Sequence, residues 1–144
     1  MSDLMALAMR LRDRGRARVS EPDVRALSIG SAVGRLAIGV GIFTVPRPAL
    51  SALGFGEVDE TGLALARLAG VRDVVLAVAT LLALDDGNRL RAASLANAAA
   101  DGGDALSFAL ALRRKHPNPA ARRGIAAALP ASAAGLWVFW RLGD

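Results

Sequence analysis

The 144-residue sequence has no cysteine, no tyrosine and a single histidine, and only 4% of it is aromatic. Without cysteine there is no disulfide, no thiolate nucleophile, no cysteine-ligated zinc and no iron–sulfur cluster. The one histidine, His116, stands in the run Arg113-Arg114-Lys115-His116-Pro117. That run reads as a solvated loop, not as part of a catalytic triad or a histidine-rich metal site. No cofactor is implied. The basic balance, net charge +5, would suggest nucleic acid in a soluble protein. Tyrosine is absent, however, and the basic residues flank hydrophobic stretches, so anionic lipid headgroups are the expected partner and nucleic acid is not.

Charge is scarce locally. Four stretches, 27–45, 62–84, 92–112 and 124–140, hold 80 residues but only 6 of the 31 charged side chains. A water-soluble bundle needs a polar back along every helix. These stretches lack one, which makes lipid the expected solvent and an all-α, four-helix transmembrane bundle the expected fold. At roughly 1.5 Å per residue, 19 residues nearly cover a hydrocarbon core of about 30 Å. The chain divides into a basic segment, 1–25, and a membrane domain, 26–144. The first segment lacks the long apolar core and small-residue cleavage site of a secretory signal. Leu4, Leu7, Ala8 and Leu11 recur at helical spacing there, which suits either a short amphipathic helix on the membrane or a disordered arginine-rich tail.

Punctuation between the stretches is clear. Pro46-Arg47-Pro48 ends the first helix and points to an extended path, with a short interfacial turn between Leu50 and Phe55. Asp85-Asp86-Gly87-Asn88 is a strong turn signal after the second helix, and Pro130 is expected to kink the fourth. Trp137 and Trp140 look like an interface belt with Arg141 snorkelling outward. Gly30, Gly34 and Gly41 with Ala37 form a small-residue strip suited to close helix packing, or to the approach of a ligand. The fourth helix, uncharged and rich in Ala, Gly and Ser, is expected to face lipid or a second copy of the chain in a homo-oligomer. A four-span chain in the cell membrane has both termini on one side; nine basic residues on that side against six on the other favour cytoplasmic termini.

The six charges inside the stretches are Arg35, Arg67, Arg72, Asp73, Asp101 and Asp104, three of each sign. Arg35, Arg72, Asp73 and Asp101 lie near the middles of their helices, so antiparallel spans put them at one depth. An unpaired charge at the centre of a membrane helix costs about 2.5–3.5 kcal/mol on insertion scales. Six of them must therefore pair and face inward. Spacing agrees, because Ser94, Asn97, Asp101 and Asp104 form one stripe on the third helix, as Ser28, Ser31 and Arg35 do on the first.

Several roles fit such a cluster. Arg35, Arg67, Arg72 and Asn97 are candidate binding residues for a small lipophilic or weakly acidic ligand held between helices. Asp73, Asp101 and Asp104 are candidate acid/base groups of a membrane-embedded enzyme, such as an isomerase, a cyclase or an epoxide-opening enzyme. The pairs could equally serve only to fix helix packing in a structural or accessory subunit, or take part in proton-linked transport. A divalent metal on Asp101, Asp104 and Asn97 would be opposed by the neighbouring arginines, so no metal site is expected.

The run Gly34-Arg35, Gly39, Pro46 and Leu53-Gly54, followed by Arg67-x-x-Gly70-x-Arg72-Asp73 and an aspartate in the third helix, resembles an uncharacterised domain-of-unknown-function group of small bacterial four-helix integral membrane proteins. These are loosely similar to the DoxX-like proteins in size and helix count. The resemblance implies a four-helix fold and a membrane location, and brings no reaction with it.

Overall fold

The computed structural model describes residues 5–6, 9–10, 21–113 and 119–143. His116 and most of the basic N-terminal segment lie outside the described residues. The described chain is all-helical: α1 Pro22–Thr44, α2 Pro46–Ala52, α3 Glu60–Leu82, α4 Gly87–Leu112 and α5 Pro119–Arg141. The four long helices include the four apolar stretches almost entirely and extend most of them by several residues, because the polar flanks supply good starts. Asp59 caps α3 by accepting from the Gly62 N–H, and Asp86 caps α4 by accepting from the Asn88 and Arg89 N–H groups. Asp86 thereby turns the expected turn sequence into the first turn of α4.

Pro46-Arg47-Pro48 departs from the extended path expected of it and opens the seven-residue helix α2. Prolines in a first helical turn lack only N–H groups that would have had no intrahelical partner there, so they break α1 and begin α2 at once. Gly54, at φ 89°, ends this element in the left-handed region that glycine adopts without penalty. Arg123 of α5 packs directly on its Cα face.

Two antiparallel hairpins make the bundle, α1 with α3 and α4 with α5, and they touch each other more lightly. The α1–α3 crossing is built on Gly39 and Gly70. A Cβ on Gly39 would lie 2.7 Å from the Gly70 carbonyl oxygen, and one on Gly70 would lie 2.8 Å from the Gly39 oxygen. Gly30, Gly34 and Gly41, the strip expected to pack, have no neighbour that a Cβ would meet. The small face of α5 is taken up inside the chain: Gly135 abuts the Ser94 carbonyl, and the Ser132 hydroxyl donates to the Ala98 carbonyl at 2.9 Å.

The interior is mostly small or polar. A compact apolar cluster of Val24, Ala83, Leu90, Val138 and Leu142 closes one end. Among fully buried side chains the largest are Leu63, Leu90 and Val24, whereas Leu65, Leu68, Val75, Leu82, Leu106 and Leu129 all lie more than half exposed. Charged residues sit at the two ends. Arg141 pairs with Glu21 at 2.6 Å and Arg25 with Asp85 at 3.8 Å at one, and Arg47 pairs with Glu60 at the other.

Candidate functional site

The polar stripes of α1 and α4 turn toward each other across the seam between the hairpins, with the inner side of α3 beside them. Arg35 lies at its centre. Its Nη1 donates to Asp73 Oδ1 at 2.7 Å, and its Nη2 reaches both oxygens of Asp101 at 2.5 and 2.6 Å. Arg72 grips Asp104 with both terminal nitrogens, at 2.8 and 2.7 Å, and its Nη2 also reaches Asp73 Oδ1 at 3.1 Å. Such two-pronged guanidinium–carboxylate contacts are the strongest and most directional polar contacts that side chains make. Arg35 and Asp101 are each 9% exposed and Asp73 13%, against 37% for Arg72 and 35% for Asp104. The cluster therefore has a deep end and a shallower one.

The seam continues toward the apolar end through uncharged groups. Asn97 donates from Nδ2 to the Thr80 hydroxyl at 2.9 Å and to the Ala93 carbonyl at 2.8 Å. Ser28 and Ser94 are buried alongside, and a void of about 20 Å³ lies among them. That volume is enough for one water molecule, and the buried Ser28 hydroxyl has no hydrogen-bond partner among the described residues.

Of the residues that the sequence marks as a site, the structure brings together Arg35, Arg72, Asp73, Asp101 and Asp104, while Asn97, one turn along α4, bonds to Thr80 and the Ala93 carbonyl instead. Arg67 stands apart. It is exposed and forms no ion pair among the described residues. The helix explains this, since five residues separate Arg67 from Arg72, a rotation of roughly 140°. The sequence ledger of three arginines against three aspartates consequently becomes two against three, and the assembled cluster carries one formal negative charge.

Asp73 holds the uncompensated share. Both oxygens of Asp101 and of Asp104 accept from an arginine, whereas Asp73 accepts twice on Oδ1 and no donor among the described residues reaches Oδ2. The Nε groups of Arg35 and Arg72 are buried without partners among the described residues, so neither guanidinium has its donors fully used there. No group of three His, Cys, Asp or Glu side chains is placed to hold a metal among the described residues; guanidinium groups occupy the space between the carboxylates.

Beside the cluster a cavity of about 570 Å³ opens between α1 and α5, with Arg35, Asp73, Asp101 and Asp104 at its polar end. Its walls are otherwise apolar or small: Gly30, Gly34 and Ile38 from α1, then Ala127, Ala128 and Ala131 from α5. Leu53, Phe55 and Phe108 line it as well, the two aromatic rings lying 6.3 Å apart, and Arg123 adds a cation beside Gly54. The combination of an apolar pocket with a few convergent polar groups is that of small-molecule sites generally, and the volume falls within their usual range of about 300–1,000 Å³.

Sequence patterning does not single out Phe55, Phe108, Arg123 or the alanines of α5. Their contribution is shape, and an alanine beside a void has the same signature as an alanine against a neighbouring helix. The one usable signal is the strip of Gly30 and Gly34: it lines the same cavity as Arg35, and a Cβ there meets no packing partner. Comparison of the chain with family models, with curated proteins and with solved structures finds no match.

Proposed function

We propose that this is a multi-pass membrane protein whose four long helices cross the bilayer as an up-down-up-down bundle, with termini on the cytoplasmic side, and that it binds a small lipophilic ligand in the cavity between α1 and α5. One observation carries the proposal: polarity is inverted, with ion pairs at the centre of the bundle and large apolar side chains over its outside. Water would not support that distribution, because soluble monomers rarely expose contiguous apolar surface of this extent. Lipid does support it, since polar contacts and small residues are what hold helices together where no hydrophobic driving force acts between them.

By length and composition alone, one described helix, Pro22–Thr44, is apolar enough to cross a membrane. Helices α3 and α4 carry Arg72, Asp73, Asp101 and Asp104, which lower their hydropathy while facing into the bundle. Pairing makes those charges tolerable at depth. Arg67, exposed two turns into α3, reaches the headgroups by extending its long side chain along the helix. The terminal ion pairs and the exposed Trp137 and Trp140 fit the two interfaces. The resemblance to small bacterial four-helix membrane proteins belongs to the same proposal.

Ligand binding is favoured over a purely structural cluster because the ion pairs stop at a void. A cluster that only fixed helix register would gain from being sealed by side chains, yet α1 presents glycines there and α5 presents alanines. The test is native mass spectrometry of the protein released from mild detergent, with a Gly34→Leu variant alongside. A Cβ at position 34 meets nothing, so leucine extends into the cavity without disturbing the helix. The expected result is a retained small molecule on the wild type and its loss from the folded variant. Equal retention on both, or none on either after extraction in several detergents, would remove the ligand from the account.

A further inference from the structure

The surplus carboxylate of the cluster has a chemical consequence for the cavity's occupant. Asp73 lines the void, its Oδ1 accepts from both Arg35 and Arg72, and no donor among the described residues reaches its Oδ2. In an apolar surrounding a formal charge that is not neutralised by a partner is costly, and the described residues offer Asp73 no third guanidinium. Arg67 lies on the exposed side of α3, and Arg123, a wall residue against Gly54, forms no ion pair among the described residues. Apart from the Ser31 hydroxyl, the remaining walls are glycine, alanine, isoleucine, leucine and phenylalanine, which hold a hydrocarbon and carry no charge to meet a head group.

We propose that the cavity takes a lipophilic amine, its ammonium group on the Asp73 carboxylate and its apolar body along α1 and α5 toward Phe55 and Phe108. This rests on the reading of the cavity as a ligand site and narrows it to one charge class. A cationic head supplies the missing positive charge and donates to the free oxygen. Its apolar body fills space that a hydrated inorganic cation would leave empty. A carboxylate ligand beside Asp73 would raise the cluster's surplus from one negative charge to two, so at that end of the cavity the geometry favours a cation; Arg123, against Gly54, is the wall cation with which an acid would pair instead.

Three probes of matched shape separate the charge claim from the cavity claim: phenylbutylamine, phenylbutanol and phenylbutanoic acid. They are titrated into the purified full-length protein in a zwitterionic detergent near neutral pH, by calorimetry and by ligand-dependent thermal shift. The proteins are the wild type, Asp73→Asn and Gly34→Leu. The expected outcome is that the wild type binds the amine at least tenfold more tightly than the alcohol and the acid. Asp73→Asn should lose that preference while still binding the alcohol, and Gly34→Leu should bind none of the three. If the wild type binds all three alike, or the acid best, and Gly34→Leu abolishes binding, the cavity is a ligand site and the amine assignment is overturned. If no probe binds, or Gly34→Leu binds as the wild type does, the amine assignment falls together with the cavity reading beneath it. The wild-type ranking alone decides the matter should Asp73→Asn fail to fold.

Discussion

Arg35 concentrates the physics of the protein in one side chain, because two buried carboxylates on two different helices depend on it. Replacing it with methionine keeps most of its volume and leaves Asp73 and Asp101 without their main partner. Breaking a buried pair from one side costs about 3–5 kcal/mol, and here two pairs break together. Arg35→Met should therefore greatly lower the yield of folded protein and its unfolding midpoint in detergent. Arg67→Gln, on the outer face, should shift stability by no more than about 0.5 kcal/mol, as surface substitutions usually do. Equal effects from the two would contradict the division between a paired cluster and an outlying arginine. The sequence made Arg35, Arg72, Asp73, Asp101 and Asp104 legible because an ionisable group in a long apolar stretch is conspicuous and helical spacing tells which ones share a face. It misassigned Arg67 because adding up charges ignores rotation about the helix axis, and on α3 that rotation decides membership.

At the scale of elements, the two hairpins are held by backbone approach and the seam between them by charge. Gly39→Ala places a Cβ where the Gly70 carbonyl oxygen lies 2.7 Å away, so α1 and α3 must move apart, at a cost of about 1–3 kcal/mol by analogy with overpacked cores. Gly41→Ala, with open space around its Cβ, should stabilise α1 by about 0.5–1 kcal/mol through the better helix propensity of alanine. Thermal unfolding of the two single variants checks both signs. Glycine spacing alone does not distinguish these positions. Gly30, Gly34 and Gly41 repeat at four- and seven-residue intervals and look like a packing strip, while the actual crossing uses Gly39 because α3 lies on that side. The short helix α2 was hidden for a related reason: proline forbids the interior of a helix but suits its first turn, and which applies depends on where the preceding helix stops. Of the small residues on α5, Ser132 and Gly135 pack on α4, whereas Ala127, Ala128 and Ala131 line the cavity.

For the molecule as a whole, composition shows how charge is segregated and conceals the site. Segregation of charge into ends and a single interior cluster is visible in sequence, and the all-helical architecture agrees with it. The cavity was not legible, since it consists of what glycine and alanine leave out, between helices whose pairing no local pattern specifies. Its polar end becomes meaningful only once Arg67 is known to be elsewhere and the cluster is known to hold three carboxylates against two guanidinium groups. The proposal of lipid as the solvent is what joins the exposed leucines to the buried ion pairs. The most direct test is fractionation of cells expressing the full-length chain, with the membranes washed in alkaline carbonate before extraction. The expected result is that the protein stays with the washed membranes and is released only by detergent. Recovery as a monodisperse soluble protein without detergent would contradict it.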